Sequence, residues 1–255
     1  MFHRPEVTLY GSQKVEARAK NLSKFTKMRR IHSQTCERKT MQHARPLPTY
    51  LKNRYHDWKA TTYTDNQGQY QQLAEEGQSP HSMVISCCDS RVNATSIFGA
   101  DPGEFFIHRN IANVVPPYNA DGQNQGTAAA VEYAVTALKV AHLIILGHSR
   151  CGGVEGCYNM CAGKAPALED PDSFVGRWVD ILRPGYDALP DGDDETRKRA
   201  LEKASIVVSL ENLMGFPFVK SAVEDERLSL HGLWNDIGAG SIEVYDSKTG
   251  SFKPI

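Results

Sequence analysis

Met83-Val84-Ile85-Ser86-Cys87 is a short, β-rich apolar run preceded by the breaker cluster Gly77-Gln78-Ser79-Pro80, and it reads as a buried strand. Phe105-Phe106-Ile107 reads as a second strand and residues 142–147, His-Leu-Ile-Ile-Leu-Gly, as a third. Between the last two lies residues 126–139, whose Ala129, Val131, Tyr133, Ala134, Val135, Ala137 and Leu138 suit a helix buried on much of its surface. Strand, helix, strand with short apolar strands calls for a parallel sheet covered on both faces. Downstream of Gly152-Gly153 the pattern turns helical, with a long amphipathic segment at 193–213 and a shorter one from 218 to 223. Residues 228–236 and 241–246, around Gly238-Ala239-Gly240, read as two strands joined by a Gly-rich turn. The expected fold is α/β, a mainly parallel sheet of four to five strands flanked by helices.

Upstream, Leu51, Tyr55, Trp58, Tyr63 and Tyr70 are spread widely among polar residues, which suits an N-terminal helical arm lying across a surface. Residues 1–45 carry 11 Lys/Arg against 3 Glu, leaving 18 basic and 27 acidic residues for the remainder. We therefore divide the chain into a basic, poorly ordered extension over 1–46 and one domain, arm included, over 47–255. The 255 residues have a formal charge of -1, so the whole chain offers no general attraction to nucleic acid. No apolar run approaches the ~20 residues that span a bilayer, and the N-terminus lacks the apolar stretch of a secretory signal. The expectation is a cytoplasmic protein without membrane or nucleic-acid partners. Organellar targeting by the basic leader is weakened by Glu6, Glu16 and Glu37. In a reducing compartment the six cysteines are read as ligands, nucleophiles or small core residues.

The strongest constellation is Cys87-Cys88-Asp89-Ser90-Arg91 at the end of one strand and His148-Ser149-Arg150-Cys151-Gly152-Gly153 at the end of another. Open parallel sheets place ligand sites at the carboxyl ends of their strands, so the fold brings the two clusters together. His148, Cys151 and a cysteine of the Cys87-Cys88 pair form a soft-to-borderline set that suits Zn²⁺ with an open fourth position. Spacing does not choose between Cys87 and Cys88, since successive strand residues point to opposite faces. A closed knot would recruit a fourth cysteine from Cys88, Cys157 or Cys161, but no Cys-x-x-Cys pair supports it. Cys157 and Cys161, four apart on a helix, are read as small buried residues, and Cys36 as an incidental thiol.

Asp89 and Arg91, one residue apart, can project to the same side of an extended loop. The cation would keep the carboxylate ionised, able to orient a nearby water. Other motifs are absent: no Gly-x-x-x-x-Gly-Lys-Ser/Thr, no Gly-x-Gly-x-x-Gly and no Gly-x-Ser-x-Gly, so nucleotide binding and serine hydrolysis have no support. His148, Arg150 and Gly152-Gly153 alternatively read as an anion cradle at a helix N-terminus, which is compatible with a metal site.

Taken together, Cys87-x-Asp89-x-Arg91, His108-Arg109-Asn110-Ile111-Ala112-Asn113, Glu132-Tyr133-Ala134 and Gly147-His148-Ser149-x-Cys151-Gly152-Gly153 resemble the β-class carbonic anhydrases, of the plant-like subgroup, over roughly 47–250. The resemblance implies interconversion of carbon dioxide and bicarbonate at one zinc per chain, with Cys87, His148 and Cys151 as ligands and Asp89 with Arg91 as a catalytic dyad. It puts Gln78, Phe106, Ile111, Tyr133 and Gly152 in the substrate pocket, although the family often has Val where this chain has Ile111. It also implies that a neighbouring subunit completes the pocket and that the arm embraces it, hence a homodimer or a dimer of dimers. Residues 1–40 have no counterpart in the family, and Met41 is a candidate start.

Zinc in such a site provides hydroxide near neutrality to attack carbon dioxide. Two thiolates cancel the +2 charge of zinc, so the water should be a weaker acid than at an all-imidazole site, and activity should rise towards alkaline pH. A zinc hydrolase of carbonyl sulfide or carbon disulfide, and a non-catalytic bicarbonate-binding homologue, are the alternative readings.

Overall fold

The computed structural model describes residues 44–119 and 125–255. The basic extension, with Cys36, lies outside the described residues except for its last three positions. Residues 44–58 and 59–255 are separate compact units. In the first, α1 (Thr49–Trp58) has no buried residue, and Tyr50, Tyr55 and Trp58 are exposed. Tyr55 packs on Trp58 with ring centroids 6.1 Å apart.

The second unit opens with a π-helical turn (Lys59–Tyr63) and α2 (Gln67–Glu76), then builds one sheet. Its strands are β1 (Ser82–Cys87), β2 (Phe105–Asn110), β3 (His142–His148), β4 (Ser229–Asp236), β5 (Ser241–Asp246) and β6 (Ser251–Pro254), in the order β2-β1-β3-β4-β5-β6. The first four pair in parallel, and β5 and β6 are added antiparallel. The sheet is mainly parallel, as expected, with one strand more than the sequence showed. That strand, β6, is four residues long and ends on Pro254, which cannot donate to a ladder and is tolerated at a sheet edge.

Both faces of the inner strands are apolar, and so Met83 to Cys87 are all buried. Met83, Ile85, Leu143 and Ile145 enter the largest core cluster, while Val84 and Leu146 face a smaller one. The helix expected at 126–139 is α3 (Gln125–Glu132), continued by a π-helical turn at Tyr133–Ala137. The long helix α5 (Asp194–Met214) starts at Asp193, whose side chain accepts the Thr196 N–H as an N-cap. It packs on β3 and β4 through residues such as Ile206 and Leu213. Gly147 and Gly232 make that approach possible, since a Cβ at either would lie 2.7–2.8 Å from Ile206.

Candidate metal centre

Strands β1 and β3 are parallel neighbours, so their carboxyl ends share one edge of the sheet. The chain leaves β1 for β2 on one side, and β3 lies on the other. The crevice between them is a topological switch point, where open α/β sheets hold ligands. Cys87 is the last residue of β1 and His148 the last of β3. Cys151 precedes the helix α4 (Gly152–Cys161) as its N-cap residue.

The three side chains converge. Their sulfur and ring-nitrogen atoms lie within 4.8 Å of one another, all buried, and the two Sγ atoms are 3.8 Å apart. One ion at about 2.3 Å from each sulfur is compatible with that separation. His148 Nδ1 donates to the Ser149 carbonyl at 2.9 Å. A carbonyl only accepts, so Nδ1 carries the proton and Nε2 presents a lone pair. That Nε2 is buried and has no hydrogen-bond partner, which costs on the order of 1–3 kcal/mol if nothing compensates it. The donor set fits a thiophilic divalent cation. The pair of thiols is also electronically asymmetric: the hydrogen bond between the two sulfurs, against the cost of burial, draws the Cys87 thiol down. The same bond and burial push Cys151 up.

Asp89 borders this cluster, its Oδ2 lying 4.0 Å from His148 Nε2. Arg91 grips it in a fork, Nε to Oδ1 at 2.9 Å and Nη2 to Oδ2 at 2.6 Å. This contact holds the Asp89 carboxyl well below the usual carboxylate range. Nη2 also donates to the Arg150 carbonyl at 3.1 Å, tying the β1 loop to the β3 loop. Arg109 braces the first loop from β2, donating to the carbonyls of Cys87, Asp89 and Val92 at 2.9, 2.7 and 2.8 Å. The sequence singled out Arg109 only as part of a motif. Its function as a loop brace depends on carbonyl directions that no spacing reveals.

Cys88 is exposed while Cys87 is buried, so the choice left open by spacing falls on Cys87. Among the described residues the ligand group has three members, and none of the cysteines proposed for a closed knot joins it. Cys157 is buried, with Cys161 3.9 Å away on the same helix. Phe106 meets Tyr133, ring centroids 5.8 Å apart, and Tyr133 is half exposed. Ile111 lines an open cleft of about 760 Å³ with Cys88, Asn110 and Trp178. Gln78 and Gly152 are exposed.

Comparison with known proteins gives a consistent result. The family described as carbonic anhydrase matches residues 82–242. Beta carbonic anhydrase 3 of Arabidopsis thaliana is 33% identical over 200 residues, 77% of this chain and 76% of that one. The structure of the β-carbonic anhydrase CcaA superposes with a TM-score of 0.70 at 29% identity, covering 81% of this chain and 91% of that one. A tetrameric β-carbonic anhydrase from Sordaria macrospora gives a TM-score of 0.63 at 30% identity, covering 80% and 97%.

Proposed function

The chain belongs to the β-carbonic anhydrases, and from that premise we propose that it catalyses the reversible hydration of carbon dioxide to bicarbonate and a proton, with one zinc held by Cys87, His148 and Cys151. The observation that carries this reading is the buried, partnerless His148 Nε2 beside two thiols, with a carboxylate oxygen 4.0 Å away. When bound, zinc supplies a Lewis acid that lowers the pKa of a water and so provides a nucleophile. Asp89, kept ionised by Arg91, is acceptor-only and would orient a water at this site by taking its hydrogen bond. Ile111, with Phe106 and Tyr133, supplies apolar surface for carbon dioxide, and Gln78 and Gly152 supply polar contact for bicarbonate. The two paired thiolates cancel the charge of a divalent ion, so the rate should rise towards alkaline pH.

The half-exposed Tyr133 ring leaves apolar surface for a second copy of the chain to complete the pocket. A homodimer or dimer of dimers is further supported by the exposed aromatic residues of α1 and by the tetrameric Sordaria relatives. Light scattering after size exclusion tests the assembly. Stopped-flow hydration of carbon dioxide by zinc-loaded protein, run beside carbonyl sulfide hydrolysis, tests the activity. Hydration should dominate; hydrolysis without hydration overturns the reading.

A further inference from the structure

Glu202 lies in the middle of α5, and although it is an acidic residue it is only 6% exposed. Taking a carboxylate out of water is costly unless specific partners hold it. The structure shows what holds this one. Its Oε1 accepts the backbone N–H of Arg150 at 2.5 Å, and its Oε2 stands 3.4 Å from Arg199 Nη1.

Arg150 is an unusual place to anchor. It sits between His148 and Cys151 with φ +55°, a left-handed conformation that is unfavourable for a non-glycine residue. In that conformation the Arg150 peptide units point in two useful directions. Its N–H meets Glu202, and its carbonyl accepts Arg91 Nη2 at 3.1 Å. Arg91 is the residue that grips Asp89 by two further bonds. A continuous series therefore runs from a buried helix carboxylate, through one residue's main chain, to the dyad.

We propose that Glu202 is a positioning residue for the Asp89–Arg91 dyad, acting through the main chain of Arg150, an inference that rests on the function proposed above for the dyad. A leucine at 202 fills much of the same volume but accepts nothing, leaving the Arg150 N–H unpaired and its carbonyl free to turn away from Arg91. A glutamine still offers an oxygen to that N–H.

The test uses zinc-loaded full-length protein, with circular dichroism confirming that each variant is folded. Glu202→Leu should keep about one zinc per chain under chelator competition and leave KM nearly unchanged, while kcat falls by roughly 10–100-fold, the scale of a misplaced catalytic group. Glu202→Gln should recover kcat to within about threefold of wild type. Added to Arg91→Ala, Glu202→Leu should change the residual kcat by less than about twofold, because residues in one network do not act additively. An independent readout is the hydrogen exchange of Arg91 Nε–H by NMR, slow in wild type and Glu202→Gln and faster in Glu202→Leu. Full kcat in Glu202→Leu, an undiminished effect without Arg91, or zinc loss as the primary defect each overturns the proposal. Should wild type not hydrate carbon dioxide at all while the exchange pattern holds, the proposed reaction fails and the positioning relationship stands.

Discussion

Arg109 reaches from β2 to the end of β1 and donates its Nε–H to the carbonyl of Cys87 at 2.9 Å. The same guanidinium takes the carbonyls of Asp89 and Val92, so one planar group sets the shape of the loop that carries both the Cys87 thiol and the Asp89 carboxylate. Lysine has the charge but not the fork. Arg109→Lys should lose about 2–4 kcal/mol of stability in urea unfolding, since hydrogen bonds from charged groups are worth ~1.5–3 kcal/mol each. Unchanged stability and unchanged zinc content would show that the loop holds its shape without the brace.

Metal content should follow burial and convergence, not cysteine count. Cys87→Ser, Cys151→Ser and His148→Gln should purify with little zinc and melt at lower temperature, because a ligand that binds only the folded state stabilises it. Cys88→Ser, on the exposed neighbour, and Cys161→Ser, outside the ligand group, should keep about one zinc per chain. Zinc analysis of purified variants decides, and loss in Cys88→Ser with retention in Cys87→Ser would reverse the ligand assignment.

For the dyad, Asp89→Asn and Arg91→Ala should retain zinc and lose turnover by about 100-fold or more, because each removes orientation and not a ligand. Asp89 also makes a pH prediction on the metal-free, reduced protein. Its folded pKa is depressed by Arg91, so the contact stabilises the fold at pH values above the unfolded pKa, about 4. That contribution is lost as pH falls towards the folded value. The stability gap between wild type and Asp89→Asn should therefore be flat from neutrality to about pH 5 and shrink below it. A gap that widens on acidification would mean that the sign is wrong.

How much of this was legible in the sequence varied with the physics involved. The inner strands were plain because a strand buried on both faces is a continuous apolar run, and β1 and β3 contain the runs read at 83–87 and 142–147. The edge strand β6 was missed because its four residues include a lysine and a proline. The ligand pair His148 and Cys151 is local and followed from spacing. The choice of Cys87 over Cys88 needed the structure or a family resemblance, since alternation says only that the two differ. Arg109 showed only as one member of a motif, and Glu202 carried no signal. Each works through main-chain atoms of residues 17 to 52 positions away, and side-chain patterns do not encode where a distant carbonyl or N–H points. The helical reading of 126–139 was right in place but blind to the π-helical turn that begins at Tyr133.

The adjacent glycines that open α4 should respond differently to alanine. At Gly152 an added Cβ would meet nothing within 4 Å, and alanine is favoured over glycine in a helix by up to about 1 kcal/mol. Gly152→Ala should be neutral or slightly stabilising. At Gly153 the same methyl would lie 2.6 Å from Ile111 Cγ2 and 3.0 Å from Ala112 Cβ. Ala112 is fully buried and has φ +61°, so that segment has little freedom to yield. Overpacking of this kind typically costs about 1–3 kcal/mol, enough to outweigh the helix propensity gained. Trimming the obstacle should recover part of the loss: Ile111→Ala removes the Cγ2, and the double variant Ile111→Ala with Gly153→Ala should be more stable than the two single effects predict, a coupling of about 0.5–3 kcal/mol for residues in contact. Urea unfolding of the four proteins measures it. Strict additivity would mean that the helix shifts away from the Ile111 loop at no cost, and that the glycine there is not needed for close packing.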